Sequence, residues 1–403
     1  MKCGLLGQRL SHSYSPAIHA EFGDYRYCLI EKEPGQIPDF LRHGAFHGLN
    51  VTMPYKRTVI PFLDELTETA QTLGAVNTVV RRPDGSLLGH NSDFFGFRSM
   101  VLRSGLSVSG KKCLVLGSGG ASATAVAVLK EIGANTVIIS RSGKNNYHNL
   151  HQHSDAKLIV NTTPVGMYPN CGISPVDLSA FADLEGVLDV IYNPARTKLL
   201  LDAEARGLVA MNGLWMLVAQ AAESSRYFTG QTIPDEKIEE VYHKIRRSME
   251  NILLIGMPGC GKSTVGAALA EKLDREFVDT DREIERSAGK AIPAIFTEDG
   301  EAAFRQLESQ VLRHFGQESG LVIATGGGCV TREENRPLLH QNGTVFWLRR
   351  DLSLLPTEGR PLSTDLSAMF ARRAPLYKTF SDHQVDNNGS ISHTLAQILE
   401  EMP

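Results

Sequence analysis

The sequence lacks several features that would point to a membrane, a disulfide scaffold or a nucleic-acid partner. No apolar run approaches the ~20 residues of a membrane-spanning helix, and the first residues do not form a secretory signal pattern. The six cysteines are scattered without a C-x-x-C pair, so neither a zinc site nor a disulfide framework is predicted. With 41 basic and 45 acidic residues, no broad basic surface is available for nucleic acid. These absences predict a cytoplasmic protein with reduced thiols.

The sequence does contain short Val/Ile/Leu runs bounded by glycine and separated by helical stretches. Examples are KKCLVLGSGG, AKLIVNTTP, NILLIGMPG and GLVIATGGG. Such runs are typical of parallel sheets covered by helices on both faces, so an α/β protein is predicted. The 403 residues suggest two or three domains. The best boundary lies near 245–250, where a charged helical segment gives way to NILLIG.

The segment KKCLVLGSGGASATAVAVLKEIGA reads as a strand, a glycine turn and a helix. Gly117 permits the tight turn, and Gly119 and Gly120 let backbone N–H groups approach a pyrophosphate at the helix N-terminus. Ser122 stands at the usual third glycine position. The next strand ends in IISRS, where Arg141 between two serines favours the 2′-phosphate of NADP over NAD, although a solvated surface arginine is the alternative.

Three polar clusters precede this loop. Ser13 and Ser15 offer paired hydroxyls, Lys56 follows the strand of NVTMP, and Asn77 and Asp93 lie in predicted glycine-flanked turns. A lysine beside a carboxylate in a desolvated cleft can relay a proton to a carbonyl oxygen as hydride arrives. Spacing alone does not show that Lys56 and Asp93 meet, and each is singly more often a cap, a turn residue or a surface group.

These clusters resemble the motifs of shikimate dehydrogenases. S-x-S-P, N-V-T-x-P-x-K, G-A-x-N-T, G-x-N-x-D and G-x-G-G-A occur in the family's order, over roughly residues 4–230. The resemblance implies reversible NADPH-dependent reduction of 3-dehydroshikimate to shikimate, with Lys56 and Asp93 as the acid–base pair. It implies substrate contacts from Ser13, Ser15, Thr52, Asn77, Asp93, Tyr192 and Gln220, and cofactor contacts from Gly117, Ser118, Gly119, Gly120, Ala121, Ser140, Arg141, Ser142 and Gly213.

The first half departs from the family pattern at three places. Ser92 replaces a threonine, His90 stands where an acidic residue is common, and only GKNNYHNLHQHSD separates SRS from AKLIV. The family fits a helix and a strand into that last interval, so the shortening predicts weaker adenosine binding. A dehydrogenase for a related polyol acid, such as quinate, is the alternative substrate assignment.

The segment NILLIGMPGCGKSTVGAALAEKL carries the P-loop pattern G-x-x-x-x-G-K-S between a strand and a helix. Its glycines let backbone N–H groups wrap phosphates, Lys262 reaches the β- and γ-phosphates, and Ser263 ligates Mg²⁺. The predicted ATP-binding residues are Gly259, Cys260, Gly261, Lys262, Ser263, Thr264 and, on a lid, Arg360.

Further motifs in this half indicate a small-molecule kinase. Asp279 and Asp281 end a strand, so one acid can hold the metal's water while the other orients a hydroxyl nucleophile. Arg305 and Glu308 share a helix face. The glycines 326–328 allow close approach of a flat ring, and lid arginines can clamp the transferring phosphate.

The set resembles shikimate kinase, with P-loop, D-x-D, F-R-x-x-E, G-G-G, R-P-L and R-x-P-L-Y in order over roughly residues 250–395. The resemblance implies ATP-dependent phosphorylation of the shikimate 3-hydroxyl. Ser263 and Asp279 would serve Mg²⁺, and Asp281 would orient or deprotonate the hydroxyl. Asp281, Arg305, Gly326, Gly327, Gly328 and Arg373 would hold the substrate. An arginine that often packs on adenine just before R-P-L has no equivalent here.

Together the halves predict a bifunctional enzyme of aromatic amino-acid biosynthesis, acting as a monomer or homodimer. The expected domains are a substrate-binding domain at 1–95 completed by about 224–247, an NADP-binding Rossmann-like domain at 96–223, and a kinase domain at 250–403. The alternative is that one half is a degenerate scaffold or sensor.

Overall fold

The computed structural model describes residues 1–10, 13–355 and 365–402, and the chain divides into two units. Unit 1 contains 1–165, 174–192 and 202–245, and unit 2 contains 166–173, 193–201 and 246–403. We call 166–173 and 193–201 the inserted segments of unit 2. Among the residues that the structure describes, no helix combines the length and apolar character required to span a bilayer.

The first sheet of unit 1 has six strands in the order β2-β1-β3-β5-β6-β4. β1 runs parallel to β2 and β3, whereas β5 is antiparallel to β3 and β6. Leu6, Leu49, Tyr55 and Val79 form part of its core. The elements are β1 (Lys2–Gly7), α1 (Ser15–His19), β2 (Arg26–Glu31), α2 (Ile37–His43), β3 (Gly48–Val51), β4 (Glu65–Leu66), α3 (Glu68–Leu73), β5 (Thr78–Arg81) and β6 (Leu87–His90).

The second sheet of unit 1 is parallel throughout, in the order β11-β10-β9-β7-β8. Its elements, with the helices around it in sequence, are α4 (Ser92–Arg103), β7 (Lys112–Leu116), α5 (Gly120–Glu131), β8 (Asn135–Ile139), β9 (Leu158–Asn161), β10 (Gly186–Asp189), α6 (Lys198–Ala205), β11 (Val209–Met211), α7 (Leu214–Thr229) and α8 (Asp235–Met249). Between β8 and β9 the chain forms one short 3₁₀ turn, Leu150–His153, in the shortened interval where the family pattern has a helix and a strand.

The sheet of unit 2 is also parallel, in the order β13-β14-β12-β15-β16. The P-loop strand β12 therefore lies at its centre, buried along its whole length. The elements are β12 (Asn251–Ile255), α9 (Lys262–Leu273), β13 (Phe277–Asp279), α10 (Thr280–Ala288), α11 (Ile292–Glu298), α12 (Gly300–Gly316), β14 (Val322–Ala324), α13 (Asn335–His340), β15 (Gly343–Arg349), α14 (Leu366–Phe380), β16 (His383–Asp386) and α15 (Ile391–Glu400). The parallel sheets confirm the predicted α/β class.

The inserted segments are held at the amino end of β15 and after α12. The Ala195 backbone N–H donates to Asn342 Oδ1 at 2.7 Å, and the Tyr168 hydroxyl donates to Glu318 Oε1 at 3.0 Å. The Asn342 side chain is buried, and its amide also donates to the backbone of the segment that follows α12. Because buried polar groups must find partners, these bonds make the inserted segments part of the folded unit.

Candidate active sites

The pair Lys56 and Asp93 lies at the centre of the first site. Lys56 Nζ donates to Asp93 Oδ2 at 2.6 Å, and the two side chains are 29% and 14% exposed. Lys56 follows β3, whereas Asp93 lies in the first turn of α4. The expectation that Asp93 sits in a turn was therefore wrong, because α4 begins one residue earlier, at Ser92. The charged pair is accessible to a ligand and can exchange a proton with it.

Asn77 and Gln220 lie together in this site. Asn77 Nδ2 donates to Gln220 Oε1 at 3.2 Å, and Asn77 Oδ1 accepts the backbone N–H of Ser92 at 2.7 Å. Asn77 precedes β5, and Gln220 lies on α7. These contacts join two predicted substrate residues to the helix that carries Asp93.

The S-x-S segment forms the start of α1. The Ser15 backbone N–H donates to Ser13 Oγ at 3.2 Å, and both side chains remain partly exposed. Tyr14 packs edge-to-face on Tyr192 with 6.1 Å between ring centroids, which brings Tyr192 beside this segment. Thr52 directly follows β3, and its backbone N–H donates to Leu6. Among the described residues, no hydrogen bond joins the side chain of Ser13, Ser15, Thr52 or Tyr192 to Lys56.

His90 is a buried structural residue. Its ring stacks on Tyr227 at 4.0 Å, its Nδ1 lies 3.0 Å from Thr67 Oγ1, and its Nε2 lies 3.7 Å from Glu223 Oε1. Burial lowers the pKa of His90 to about 4, so the ring is neutral near pH 7. This departure from the family pattern is therefore accommodated inside the fold.

The glycine turn after β7 has the geometry of a dinucleotide loop. Gly117 has φ +112°, and a Cβ there would lie 2.8 Å from Thr162 Oγ1. A Cβ on Gly119 or Gly120 would meet nothing within 4 Å, which leaves the start of α5 open to a phosphate. Ser122 donates from Oγ to the Gly117 carbonyl at 2.8 Å. The serine therefore closes the turn by a hydrogen bond at the position where the motif usually has glycine.

The remaining predicted cofactor residues lie at ends of the same sheet. The Ser140 backbone N–H donates to the Asn145 carbonyl at 3.1 Å and closes a turn directly after β8, where Arg141 and Ser142 are exposed. Gly213 caps α7, and any side chain there would collide with the Val190 carbonyl. The turn after β8 thus presents a cation and hydroxyls at one edge, as a 2′-phosphate requires.

In unit 2 the P-loop follows β12 and opens α9. Gly256, Gly259 and Gly261 have φ of +145°, +81° and +99°, which only glycine adopts readily. Lys262 Nζ donates to the carbonyls of Gly256 and Met257 at 2.9 and 3.0 Å. The lysine is thereby held over the loop whose N–H groups would wrap phosphates.

Ser263 and Asp279 lie next to each other beside the P-loop. Ser263 Oγ donates to Asp279 Oδ2 at 2.5 Å, and Asp279 also caps α10 through the Asp281 backbone N–H. Oxygen donors of this kind fit Mg²⁺. Within the described part of the chain no group of three or more His, Cys, Asp or Glu could hold a metal, so water and nucleotide oxygens would complete the shell.

Two carboxyl groups and an arginine meet at the glycine turn after β14. Arg305 donates to Glu308 Oε2 at 2.8 Å, and a Cβ on Gly326 would lie 2.6 Å from Glu308 Oε1 and 2.8 Å from Asp281 Oδ1. These two carboxyl oxygens have no hydrogen-bond partner among the residues that the structure describes. Burial raises the pKa of Glu308 to about 7 and raises the pKa of Asp281, although Lys262 opposes the latter.

Arg373 completes this cluster from α14. Its guanidinium donates to the Gly327 carbonyl at 3.1 Å, and the Tyr377 hydroxyl donates to the same oxygen. A Cβ on Gly328 would collide with Arg305. The arrangement places two cations and two carboxyl groups around a floor of bare backbone, which suits a hydroxylated carboxylate. Arg360 lies outside the described residues.

A cavity of about 480 Å³ lies beside the P-loop, and the sequence did not predict it. A Cβ on Gly261 would lie 3.6 Å from Arg350, and Asn387 Nδ2 donates to the Cys260 carbonyl at 2.6 Å. Arg350 Nε is buried, and within the described part of the chain it has no hydrogen-bond partner. Lining residues include Arg349, Arg350, Leu352, Phe370 and Asn388. The sequence signal for it is the pair of arginines that ends GTVFWLRR.

Comparison with known proteins assigns both halves. Family models match the shikimate dehydrogenase substrate binding domain at residues 5–79, the shikimate 5′-dehydrogenase C-terminal domain at 213–241 and shikimate kinase at 258–403. The shikimate dehydrogenase (NADP(+)) of Clostridium perfringens is 31% identical over 265 residues, which cover 60% of this chain and 97% of that relative.

Solved structures agree with the assignment of the dehydrogenase half. The chorismate mutase/shikimate 5-dehydrogenase fusion protein of Clostridium acetobutylicum is 33% identical with a TM-score of 0.58, covering 60% of this chain and 96% of that one. The quinate dehydrogenase of Corynebacterium glutamicum in complex with NAD is 28% identical with a TM-score of 0.56, covering 60% of this chain and 99% of that one. The chain therefore belongs to the shikimate dehydrogenase family, and it also carries a shikimate kinase domain at its C-terminal end.

Proposed function

We propose that both sites of this chain are active and that they catalyse consecutive reactions, reduction of 3-dehydroshikimate and phosphorylation of the resulting shikimate. The 2.6 Å contact between Lys56 and Asp93 carries the proposal for the first reaction. The cluster of Asp281, Arg305 and Glu308 around Gly326 supports the second. Neither site has lost a group that its chemistry needs, which argues against a degenerate half.

In the dehydrogenase, bound NADPH supplies the hydride. Lys56 donates a proton to the oxygen of the carbonyl that is being reduced, and Asp93 holds the lysine in place before the transfer. Asn77 and Gln220 hold ring hydroxyls, and Ser13 and Ser15 hold the substrate carboxylate. The carboxylate is thus held by hydroxyl groups, whereas proton transfer occurs at the charged pair.

In the kinase, bound MgATP supplies the phosphoryl group. Asp281 accepts the proton of the attacking hydroxyl, and Arg305 and Arg373 bind the substrate carboxylate. Lys262 binds phosphate oxygens, while Ser263 and Asp279 would hold Mg²⁺, the latter through water. The raised pKa of Asp281 makes its carboxylate a stronger base.

The direct test combines 3-dehydroshikimate, NADPH and MgATP with the full chain. We expect NADPH to be consumed and shikimate 3-phosphate to accumulate, with no phosphate product if Mg²⁺ is chelated. Lys56→Ala should abolish only the reductase, and Lys262→Ala only the kinase. Consumption of NADPH without a phosphorylated product would refute the kinase half, and an unchanged reductase rate in Lys56→Ala would refute the first assignment.

A second measurement determines which polyol acid is the substrate. Rates of oxidation should be compared for shikimate and quinate with NADP⁺ and NAD⁺, since a quinate dehydrogenase is among the structural relatives. We expect shikimate with NADP⁺ to give the highest kcat/KM. A preference for quinate would overturn the substrate assignment while leaving the Lys56–Asp93 chemistry intact.

Six free cysteines fit the predicted cytoplasmic location, which fractionation would test.

A further inference from the structure

A knot of buried hydroxyl and amide groups lies beneath the dehydrogenase pocket, centred on Ser224. This residue lies on α7, one helical turn after Gln220, and is fully buried. Its Oγ lies 2.7 Å from Asn50 Nδ2, 2.9 Å from Thr78 Oγ1 and 2.9 Å from Ser92 Oγ. It donates to the Gln220 carbonyl at 3.0 Å. One hydroxyl thus links β3, β5, α4 and α7.

The number of hydroxyl and amide hydrogens in the knot limits which of its hydrogen bonds can form together. Ser224 donates its own hydrogen to the Gln220 carbonyl and can accept two hydrogen bonds, one of them from the Asn50 amide. Only one of the Thr78 and Ser92 hydroxyls can then donate to Ser224. The other can donate to Asn77 Oδ1, which lies 3.1 Å from Thr78 Oγ1 and 3.2 Å from Ser92 Oγ, and the two hydroxyl oxygens lie 3.3 Å from each other.

Ser92 and the knot fix the orientation of the Asn77 side chain. Asn77 Oδ1 accepts the Ser92 backbone N–H at 2.7 Å, so Asn77 Nδ2 is the donor to Gln220 Oε1 at 3.2 Å and to Ser92 Oγ at 3.1 Å. Ser92 is also the first residue of α4, directly before Asp93. The knot therefore determines both how Asn77 presents its amide and where the helix that carries Asp93 begins.

We propose that Ser224 is a positioning residue of the dehydrogenase, which sets substrate affinity by orienting Asn77 through Thr78 and Ser92. This inference rests on the proposed assignment of Asn77 and Gln220 to the substrate. Ser224 itself touches no ligand, because its hydroxyl is enclosed by the four groups named above. A buried polar network of this kind specifies one arrangement when all its members are satisfied.

Ser224→Ala in the full chain is the first test, assayed by shikimate oxidation with NADP⁺. The variant leaves Asn50 and the two hydroxyls to rearrange, so we expect KM for shikimate to rise about fivefold to tenfold, the equivalent of about one hydrogen bond. We expect kcat to change less than about twofold and KM for NADP⁺ to stay constant, because Lys56, Asp93 and the dinucleotide loop are untouched. Ser225→Ala is the matched control, since Ser225 is equally buried but its hydroxyl accepts from Tyr25.

A double-mutant cycle separates this inference from the function on which it rests. If Ser224 acts through Asn77, Ser224→Ala should add no further increase of KM in an Asn77→Ala background. An unchanged KM in Ser224→Ala, or fully additive effects, would overturn the positioning role. An unchanged KM in Asn77→Ala would instead overturn the pocket assignment. Should Ser224→Ala fail to fold, Thr78→Val keeps the side-chain shape, removes one hydroxyl of the knot and must show the same selective rise of KM.

Discussion

Gly326 illustrates at the scale of one residue why the kinase site needs bare backbone. A Cβ there would lie 2.6 Å from Glu308 and 2.8 Å from Asp281, closer than non-bonded heavy atoms approach. We expect Gly326→Ala to lower kinase kcat/KM by at least about tenfold, because one carboxyl group must move by several tenths of an ångström. Reductase activity should be unchanged. Gly389→Ala is the control, since its Cβ would lie 3.8 Å from the nearest side chain, and equal activities of the two variants would contradict the expectation.

His90 makes the stability of unit 1 sensitive to acid. Its pKa is lowered from 6.5 to about 4 by burial, so the unfolded chain takes up a proton at a higher pH than the folded chain. The stabilisation from neutral His90 is therefore complete above pH 6.5 and is lost as pH falls through about 4. We expect His90→Gln to flatten the loss of thermal stability over this interval, measured by calorimetry between pH 7 and pH 4. Parallel curves for both proteins would refute this account.

The sequence identified the chemical residues better than their contacts. Lys56, Asp93 and Asp281 were named from motifs, but the contact between Lys56 and Asp93 spans 37 residues and depends on how β3 and α4 meet. Arg350 was missed, because an arginine at the end of a strand is ordinarily a surface group. The knot around Ser224 was also missed, because buried serines on an apolar helix give no sequence pattern.

At the scale of elements, the carboxyl end of β15 provides a test of nucleotide binding. Arg350 follows this strand, lines the 480 Å³ cavity and lies close to Gly261 of the P-loop. Since the arginine expected near R-P-L is absent, we predict that Arg350 and Phe370 contact the adenine base. Arg350→Ala should raise KM for ATP about tenfold or less and leave KM for shikimate nearly constant. Arg372→Ala, an exposed arginine on α14, is the control, and equal ATP affinities would contradict the assignment.

Strands with continuous Val/Ile/Leu runs were predicted and are present. β7, β9, β12 and β14 are such strands, because a strand buried on both faces favours apolar residues. The two-residue strand β4 carries no such signal, since it is half exposed and held mainly by its pairing with β6. Local composition predicts buried strands, whereas short edge strands depend on their neighbours.

At the scale of the whole molecule, the inserted segments predict that residues 246–403 alone form a less stable domain than unit 2 of the full chain. A fragment of residues 246–403 lacks the partners of Asn342 and Glu318. Each lost hydrogen bond costs roughly 0.5–1.5 kcal/mol, so the fragment should unfold several degrees below unit 2 of the full chain. Thermal unfolding of both proteins measures this difference, with and without ATP.

Point variants of the full chain control for the effect of truncation. Tyr168→Phe removes only the hydroxyl that reaches Glu318 and should lower the transition of unit 2 slightly. Tyr147→Phe, in unit 1, should leave it unchanged. A fragment as stable as unit 2 in the full chain would show that the inserted segments contribute nothing to stability.

Sequence reasoning predicted a kinase domain that is continuous from about residue 250, whereas unit 2 also contains 166–173 and 193–201. The hydrogen bond between Ala195 and Asn342 spans 147 residues, and the composition of neither NPAR nor the turn before β15 indicates it. A domain boundary inferred from composition marks the point where a charged helix gives way to a buried strand. It does not reveal which earlier loops bind to a later sheet.

The inserted segments also impose an order on synthesis. A ribosome completes residues 166–201 long before it reaches β15, yet these segments form their bonds with Glu318 and Asn342. The first sheet and the dinucleotide loop can assemble while translation continues, because domains generally fold as units from the N-terminus. The loops that follow β9 and β10, however, must wait for these bonds while about 150 further residues are added, roughly 8–30 seconds at bacterial and eukaryotic elongation rates. The nascent protein thus passes through a stage in which its first enzyme is nearly built but two of its loops await the second.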